Sequence, residues 1–151
     1  MANTYTQLYV HIVFSVKGRS NQISPEWKEE LYKYISGKIT AKKQKPMVMN
    51  GVSDHIHILV GFNPSCSISD LVRDIKANSS KWINDKRFAM GIFEWQTGFG
   101  AFTIGQSQVD RVAKYILNQE VHHRKKTFRE EYIDFLKAYQ VEYNPDYVFD
   151  I

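Results

Sequence analysis

The sequence predicts an α+β domain of the ferredoxin-like (RRM-like) class, in which an antiparallel sheet carries helices on one face and leaves the other face free. Apolar periodicity along the chain indicates the order strand, helix, strand, strand, helix, strand, helix. The length of 151 residues and the hydrophobic content of 43% suit one domain over residues 1–151 with its own core. No internal repeat or low-complexity segment divides the chain.

The first strand and the first helix are predicted from residues 4–16 and from the segment that follows them. Residues 4–16 alternate between apolar and polar side chains, which is typical of a strand with one buried face. Tyr5, Tyr9 and His11 lie on the face opposite the apolar residues. Ser24 followed by Pro25 has the pattern of an N-cap and a first helical position, so a helix is predicted to begin there.

A hairpin, a short strand and three further helices are predicted downstream. Residues 46–62 form two extended runs separated by a turn, either at Asn50–Gly51 or at Ser53–Asp54. The later elements begin at capping patterns or after glycines: a helix at Ser67, a short strand at about 101–104, a helix at Ser107 and a helix at Thr127.

Composition excludes several classes of protein. The single cysteine, Cys66, rules out an internal disulfide and a cysteine-built zinc site, which suits a reducing cytoplasm. No leader pattern opens the chain and no apolar run approaches the roughly 20 residues of a membrane span, so a cytoplasmic protein without a membrane partner is expected. No P-loop pattern is present, so no use of ATP is expected. The net charge of +4 permits a nucleic-acid partner without requiring one.

Two histidines stand one residue apart in the second strand of the hairpin, in the segment DHIHILV. Side chains alternate along a strand, so His55 and His57 point to one face while Ile56 and Ile58 point to the other. The sheet face left free would therefore carry both imidazoles. They are either an ordinary hydrogen-bonded pair or two ligands of a metal site, and the pair alone does not decide between these.

A tyrosine lies off the apolar stripe of the predicted helix over 107–123. At about 100° per residue, Tyr115 falls in one row with Arg111, Gln119 and His122. Taken by itself, this is the pattern of an amphipathic tyrosine lying on a surface. The apolar stripe of the same helix consists of Val109, Val112, Ala113, Ile116 and Leu117.

Two strand histidines combined with a helical tyrosine and glutamine form a far more specific pattern than the histidine pair alone. In these residues the chain resembles the HUH single-tyrosine transposases of small bacterial insertion sequences, the insertion-sequence-two-hundred-like group. His55-Ile56-His57 matches the histidine element, and Tyr115 with Gln119 four residues later matches the nucleophile element. The resemblance spans nearly the whole chain, including the segments YVHIVFSVKGR, ISDLVRDIKANSSKWI and WQTGFGAF. Gly18 departs from the family, which often has a tyrosine there.

The resemblance implies an enzyme that cleaves and rejoins single-stranded DNA at insertion-sequence ends. Tyr115 would be the catalytic nucleophile, forming a 5′-phosphotyrosine, with Arg111 or the metal helping to ionise its phenol. His55, His57 and Gln119 would hold a divalent cation, which is magnesium or manganese in this family. The implied partners are single-stranded DNA with terminal hairpins and a second copy of the chain. In the family the sheet extends across this homodimer, and the tyrosine helix can complete the partner's site.

Several residues are candidates for contact with DNA rather than for chemistry. Phosphate contacts are predicted for basic residues at sheet ends and on helices: Lys17, Arg19, Lys76, Lys81, Arg111 and Arg124. Base stacking is a candidate role for Tyr5, Tyr9 and Phe99.

Other residues near these motifs receive simpler interpretations. His11 is interpreted as a polar neighbour of the histidine pair, and His122 and His123 as DNA-facing or exposed. The helix over 128–139 is interpreted as packing. Gly98, Gly100 and Gly105 serve either as a hinge for the tyrosine helix or simply as turn residues.

Three alternatives remain open from the sequence. A host-retained relative would process repeated chromosomal hairpins with the same chemistry but would move no element. A non-catalytic ferredoxin-like module would bind single-stranded nucleic acid through sheet aromatics and would need neither the histidine pair nor the Tyr115–Gln119 row. A metal-dependent phosphoesterase would use water as its nucleophile and would leave Tyr115 without a role.

Overall fold

A four-stranded antiparallel sheet with the strand order β2-β3-β1-β4 organises the chain. The computed structural model describes residues 4–18, 22–123, 125–146 and 148. The strand order and the order of elements along the chain are those of a ferredoxin-like fold, so the predicted α+β class is confirmed. The strands are β1 (Leu8–Ser15), β2 (Lys45–Val52), β3 (His55–Phe62) and β4 (Gly100–Ile104). The helices are α1 (Lys28–Ala41), α2 (Ile68–Lys86), α3 (Val109–Leu117), α4 (Gln119–His122) and α5 (Phe128–Ala138).

The main core lies between one face of the sheet and the pair α1 and α2. Alternate residues of β1 and β3, such as Ile12 and Ile58, point to this side and are fully buried. They meet the apolar stripes of the helices, including Leu31 of α1 and Ile75 of α2. Among the described residues, no helix is long and apolar enough to cross a membrane.

The second face of the sheet is also covered, so the prediction of a free face is wrong. Near one end of this face, Val13 and Phe102 pack against Leu136 of α5. Near the other, Leu59 and Ile104 pack against Ile116 of α3. These strand residues are large and apolar, and leaving them in water would forfeit roughly 2 kcal/mol each. The histidine pair is therefore buried between sheet and helices rather than displayed on a surface.

Helix boundaries differ from the predicted ones where local turns intervene. Helix α1 begins at Lys28, after a turn in which the Ser24 hydroxyl accepts a hydrogen bond from the Glu26 amide at 3.2 Å. The hairpin turns at Ser53–Asp54, the second of the two predicted positions. The helix predicted over 107–123 is preceded by a 3₁₀ turn and breaks at Asn118. Because of this break Leu117 is 61% exposed, and its prediction as part of the buried stripe is wrong.

The glycines before α3 have identifiable structural roles. Gly98 has φ of +89°, a conformation that side chains rarely adopt. A Cβ atom at Gly100 would lie 2.8 Å from Cε1 of Tyr132. These two positions support the interpretation as turn and packing residues, and a hinge remains a prediction.

Helix α5 starts with a complete capping box, as predicted for Thr127. The Thr127 hydroxyl accepts from the Glu130 amide, and the Glu130 carboxylate accepts from the Thr127 amide, both at 3.2 Å. We expect Thr127→Ala to lower the free energy of unfolding by about 1 kcal/mol, because the helix loses this cap. Urea unfolding measures the difference. Thr127→Ser keeps the hydroxyl and should retain most of the stability, whereas equal losses in both variants would contradict a capping role.

Candidate active site

The two histidines of β3 both point their Nε2 atoms toward one buried position on the second face of the sheet. Both side chains are fully buried, on the sheet face that α3 and α5 cover. His55 Nε2 and His57 Nε2 each lie close to a single carboxylate oxygen, Glu131 Oε1, at 3.3 Å and 3.0 Å. The alternation of side chains along β3 thus brings both imidazoles into one cluster, as the sequence predicts.

The other nitrogen of each histidine is held by a separate partner. His55 Nδ1 lies 2.7 Å from Asp54 Oδ1, and His57 Nδ1 lies 2.8 Å from His11 Nε2. Such contacts fix the orientation of a ring and leave its Nε2 aimed at the cluster. His11 is therefore a polar neighbour of the pair, which confirms its interpretation.

Glu131 is the residue that the sequence reasoning missed. Its side chain is 2% exposed and comes from α5, which was interpreted as packing alone. Glu131 Oε1 also lies 3.1 Å from Nε2 of His123, whose side chain is only 9% exposed. Helix α5 does pack on the sheet, as predicted, but Glu131 also brings it into the cluster, and the interpretation of His123 as exposed is wrong. An acidic residue at a buried position of an amphipathic helix was the available signal, but only the packing of α5 shows which residues it meets.

Gln119 joins the cluster from α4. It is fully buried, its Oε1 lies 3.2 Å from His55 Nε2, and its Nε2 lies 3.4 Å from Glu131 Oε2. The structure therefore brings His55, His57 and Gln119 together, as is required if the three are to hold one divalent cation.

Tyr115 reaches the same cluster from α3. Its hydroxyl donates a hydrogen bond to Glu131 Oε2 and lies 3.2 Å from His122 Nε2. Its ring centroid is 5.9 Å from that of His57.

Burial and charge set the protonation of the cluster. Burial lowers the pKa of His57 to about 4, and burial together with the charge of His57 lowers that of His11 to about 3. Burial would raise the pKa of Glu131, but hydrogen bonds from His123, His55 and His57 outweigh it and hold that pKa far below its usual range. Burial and the Glu131 charge raise the pKa of the Tyr115 phenol. At neutral pH the carboxylate is ionised, His57 is neutral and the phenol keeps its proton.

The cluster fits a divalent cation in size and in chemistry. One ligand atom from each of His55, His57, His123 and Glu131 lies within 4.8 Å of all the others. Two ligands bound at about 2.1 Å are at most about 4.2 Å apart, so the cluster is close to the size of a coordination sphere. A neutral imidazole such as His57 can donate its lone pair, and the carboxylate adds an oxygen ligand of the kind that magnesium and manganese prefer.

Asn50 of β2 fixes the end of the tyrosine helix. Its Nδ2 donates to the carbonyl oxygens of Ile116 at 3.1 Å and Leu117 at 3.0 Å. We expect Asn50→Ala to reduce the rate of any reaction of Tyr115 about tenfold, because the helix end is no longer held and small displacements are costly in catalysis. The rate at which Tyr115 becomes covalently attached to DNA measures this effect, and urea unfolding shows whether the variant has lost stability instead. Asn50→Asp loses the same donors with little change of shape, so a wild-type rate in that variant would contradict the proposed positioning.

The basic residues predicted to bind phosphate occupy different settings. Lys17 pairs with Glu94 at 3.2 Å and Lys81 with Asp85 at 3.1 Å, and both pairs are exposed. Lys76 is half-buried and donates to the Gln96 carbonyl at 2.9 Å, and burial lowers its pKa to about 8. Arg111 is exposed on α3, whereas Arg19 and Arg124 lie outside the described residues.

The site combines the paired histidines of β3 with the tyrosine of α3, which is the arrangement that the resemblance noted in the sequence implies. A family model, "Transposase IS200 like", matches residues 4–119. The chain belongs to this family of transposases, enzymes whose substrate is DNA, and the resemblance noted in the sequence is confirmed.

Solved structures share the fold at low sequence identity. A candidate transposase from Deinococcus radiodurans R1 superposes with a TM-score of 0.62 and 19% identity, covering 79% of this chain and 95% of that one. A REP-associated tyrosine transposase bound to a REP hairpin superposes with a TM-score of 0.62 and 15% identity, covering 82% of this chain and 73% of that one. No curated protein matches the chain.

Proposed function

We propose that this transposase cleaves and rejoins single-stranded DNA by metal-assisted transesterification, through a 5′-phosphotyrosine on Tyr115. The observation that carries the proposal is the convergence of the Tyr115 hydroxyl and the Nε2 atoms of His55 and His57 on one buried cluster. Neither a binding module nor a phosphoesterase that uses water requires a tyrosine at that position.

The chain's own residues account for the steps of the reaction. Tyr115 attacks phosphorus, so its oxygen–phosphorus bond forms as the bond from phosphorus to the 3′-oxygen breaks. The phenolic proton is lost to solvent as the new bond forms, and the 3′-oxygen takes a proton from solvent. The energy of the diester is kept in the phosphotyrosine, so a different 3′-hydroxyl can reverse the step without ATP.

The cluster would hold the cation that the family requires. His55, His57, Gln119, His123 and Glu131 are the available ligands, and the oxygen donors favour magnesium or manganese. A cation held there supplies a Lewis acid that offsets the charge of the phosphate under attack.

The proposed partners are single-stranded DNA with terminal hairpins and a second copy of the chain. One tyrosine holds one cut end, and moving an element requires two ends. The outer strands β2 and β4 offer the edges through which a sheet can continue into another subunit. We expect sedimentation equilibrium to give twice the chain mass, and a monomer at all concentrations would contradict the dimer.

A covalent-adduct experiment tests the proposed chemistry. The full chain is incubated with labelled single-stranded DNA from the end of its own element, with manganese or with EDTA, and separated on a denaturing gel. A manganese-dependent adduct, located by mass spectrometry on the peptide that contains Tyr115, is the expected result. Cleavage without an adduct would indicate water as the nucleophile, and binding without cleavage would indicate a non-catalytic module.

A further inference from the structure

A cavity, which we call the aromatic pocket, lies beside the histidine cluster. It lies between β1 and β4 on one side and α5 with the following segment on the other, and has a volume of about 540 Å³. This is within the range of pockets that bind small ligands. Its lining includes the rings of Phe99, Phe102, Phe128, Tyr132 and Tyr143.

The aromatic pocket shares a wall with the candidate active site. Phe128 lines the pocket and stacks on the His55 ring at a centroid distance of 4.3 Å. Ser15 also lines the pocket and pairs with His55 across β1 and β3. The Phe128 ring therefore lies between the pocket and His55 of the histidine cluster.

A loop at residues 96–99 separates the aromatic pocket from a basic groove. The groove has a volume of about 580 Å³ and is lined by Lys17, Arg73 and Lys76. Lys76 anchors the loop by donating to the carbonyl oxygens of Gln96 and Gly98. The other two cations pair with exposed carboxylates, Lys17 with Glu94 and Arg73 with Asp70, and such exposed pairs contribute little and can exchange for phosphate.

The pocket also presents polar groups between its rings. Ser15 donates to Gln96 Oε1, and both residues line the cavity together with Thr97. Rings that can stack on a base, combined with an amide and hydroxyls that can reach its edge, are the features by which proteins bind unpaired bases.

We propose that the aromatic pocket binds an unpaired nucleobase adjacent to the phosphate that Tyr115 attacks, while the backbone of the same strand continues into the basic groove. The inference rests on the proposed function and specifies how its substrate is held. The family match ends at residue 119, whereas Phe128, Tyr132 and Tyr143 lie beyond it. The pocket is thus built partly from a segment outside the matched family region.

Photocrosslinking with a variant that cannot cleave DNA tests the pocket directly. The full chain carrying Tyr115→Phe is bound to a short single-stranded oligonucleotide of randomised sequence that contains one iododeoxyuridine, then irradiated. Mass spectrometry identifies the residue that is crosslinked. We expect crosslinks to the rings of the aromatic pocket. Crosslinks confined to other residues, or none at all, would overturn the proposal.

Matched variants test stacking. Tyr143→Ala should weaken binding of the same oligonucleotide roughly tenfold, whereas Tyr143→Phe keeps the ring and should bind like the parent. Met90→Ala removes a side chain that is 91% exposed and lies outside the pocket, so it should have no effect. Equal affinity of Tyr143→Ala and Tyr143→Phe, or a loss with Met90→Ala alone, would contradict the pocket.

The adduct experiment on the unmodified chain separates this inference from the proposed function. An adduct on Tyr115 without crosslinks in the pocket would overturn the inference alone. Pocket crosslinks without an adduct would support the pocket and overturn the proposed chemistry. The absence of both would overturn both.

Discussion

Tyr115→Phe is expected to abolish the covalent adduct and strand rejoining, with a loss of at least about 10³-fold relative to the unmodified chain. The substitution removes one oxygen, the only atom of the residue that can attack phosphorus. The ring keeps its place against His57 and Phe135, so fold and DNA affinity should be unchanged. Adduct yield on denaturing gels and binding by fluorescence anisotropy measure the two effects separately.

Tyr9→Phe is the matched control for this substitution. Tyr9 lies on the same face of the sheet and packs in the cluster formed with α3, but no contact joins its hydroxyl to the described histidines. This variant should form adduct at the parental rate. If cleavage persists in Tyr115→Phe while Tyr9→Phe is inactive, the assignment of the nucleophile is wrong.

Glu131→Gln is expected to weaken manganese binding by at least about tenfold, as loss of a supporting or ligating group at a metal site usually does. The Glu131 carboxylate contacts Nε2 of His55, His57 and His123, and the amide of a glutamine is neutral with almost the same shape. Isothermal titration calorimetry with manganese measures the affinity. The rate of adduct formation at limiting manganese should fall in parallel.

Asp134→Asn provides the control for Glu131→Gln. It removes one negative charge from the same helix, but its side chain is exposed and pairs with Lys126. Manganese affinity should therefore stay at the parental value. A faster adduct rate in Glu131→Gln, with manganese affinity unchanged, would instead mean that Glu131 restrains the Tyr115 hydroxyl without holding the metal.

Much of the site could be predicted because it depends on local periodicity. Two histidines separated by one residue must share a strand face, and a glutamine four residues after a tyrosine falls on the same side of a helix. His55, His57, Tyr115 and Gln119 therefore follow from spacing together with the resemblance to a family. The break at Asn118 leaves this relation intact but exposes Leu117, because the helix does not continue along its predicted axis.

The sequence by itself determined the α+β class and the order of the elements along the chain, since these depend on alternation and helical period, and the resemblance to a family related the two histidines to the tyrosine. Only the tertiary structure decided that the second sheet face is covered and that Glu131 and His123 complete the cluster. Both come from segments after β4, and no repeating pattern connects them to β3. Their positions are set by how α5 buries its apolar side against Val13 and Phe102, and long-range packing of that kind leaves no local signature in the chain.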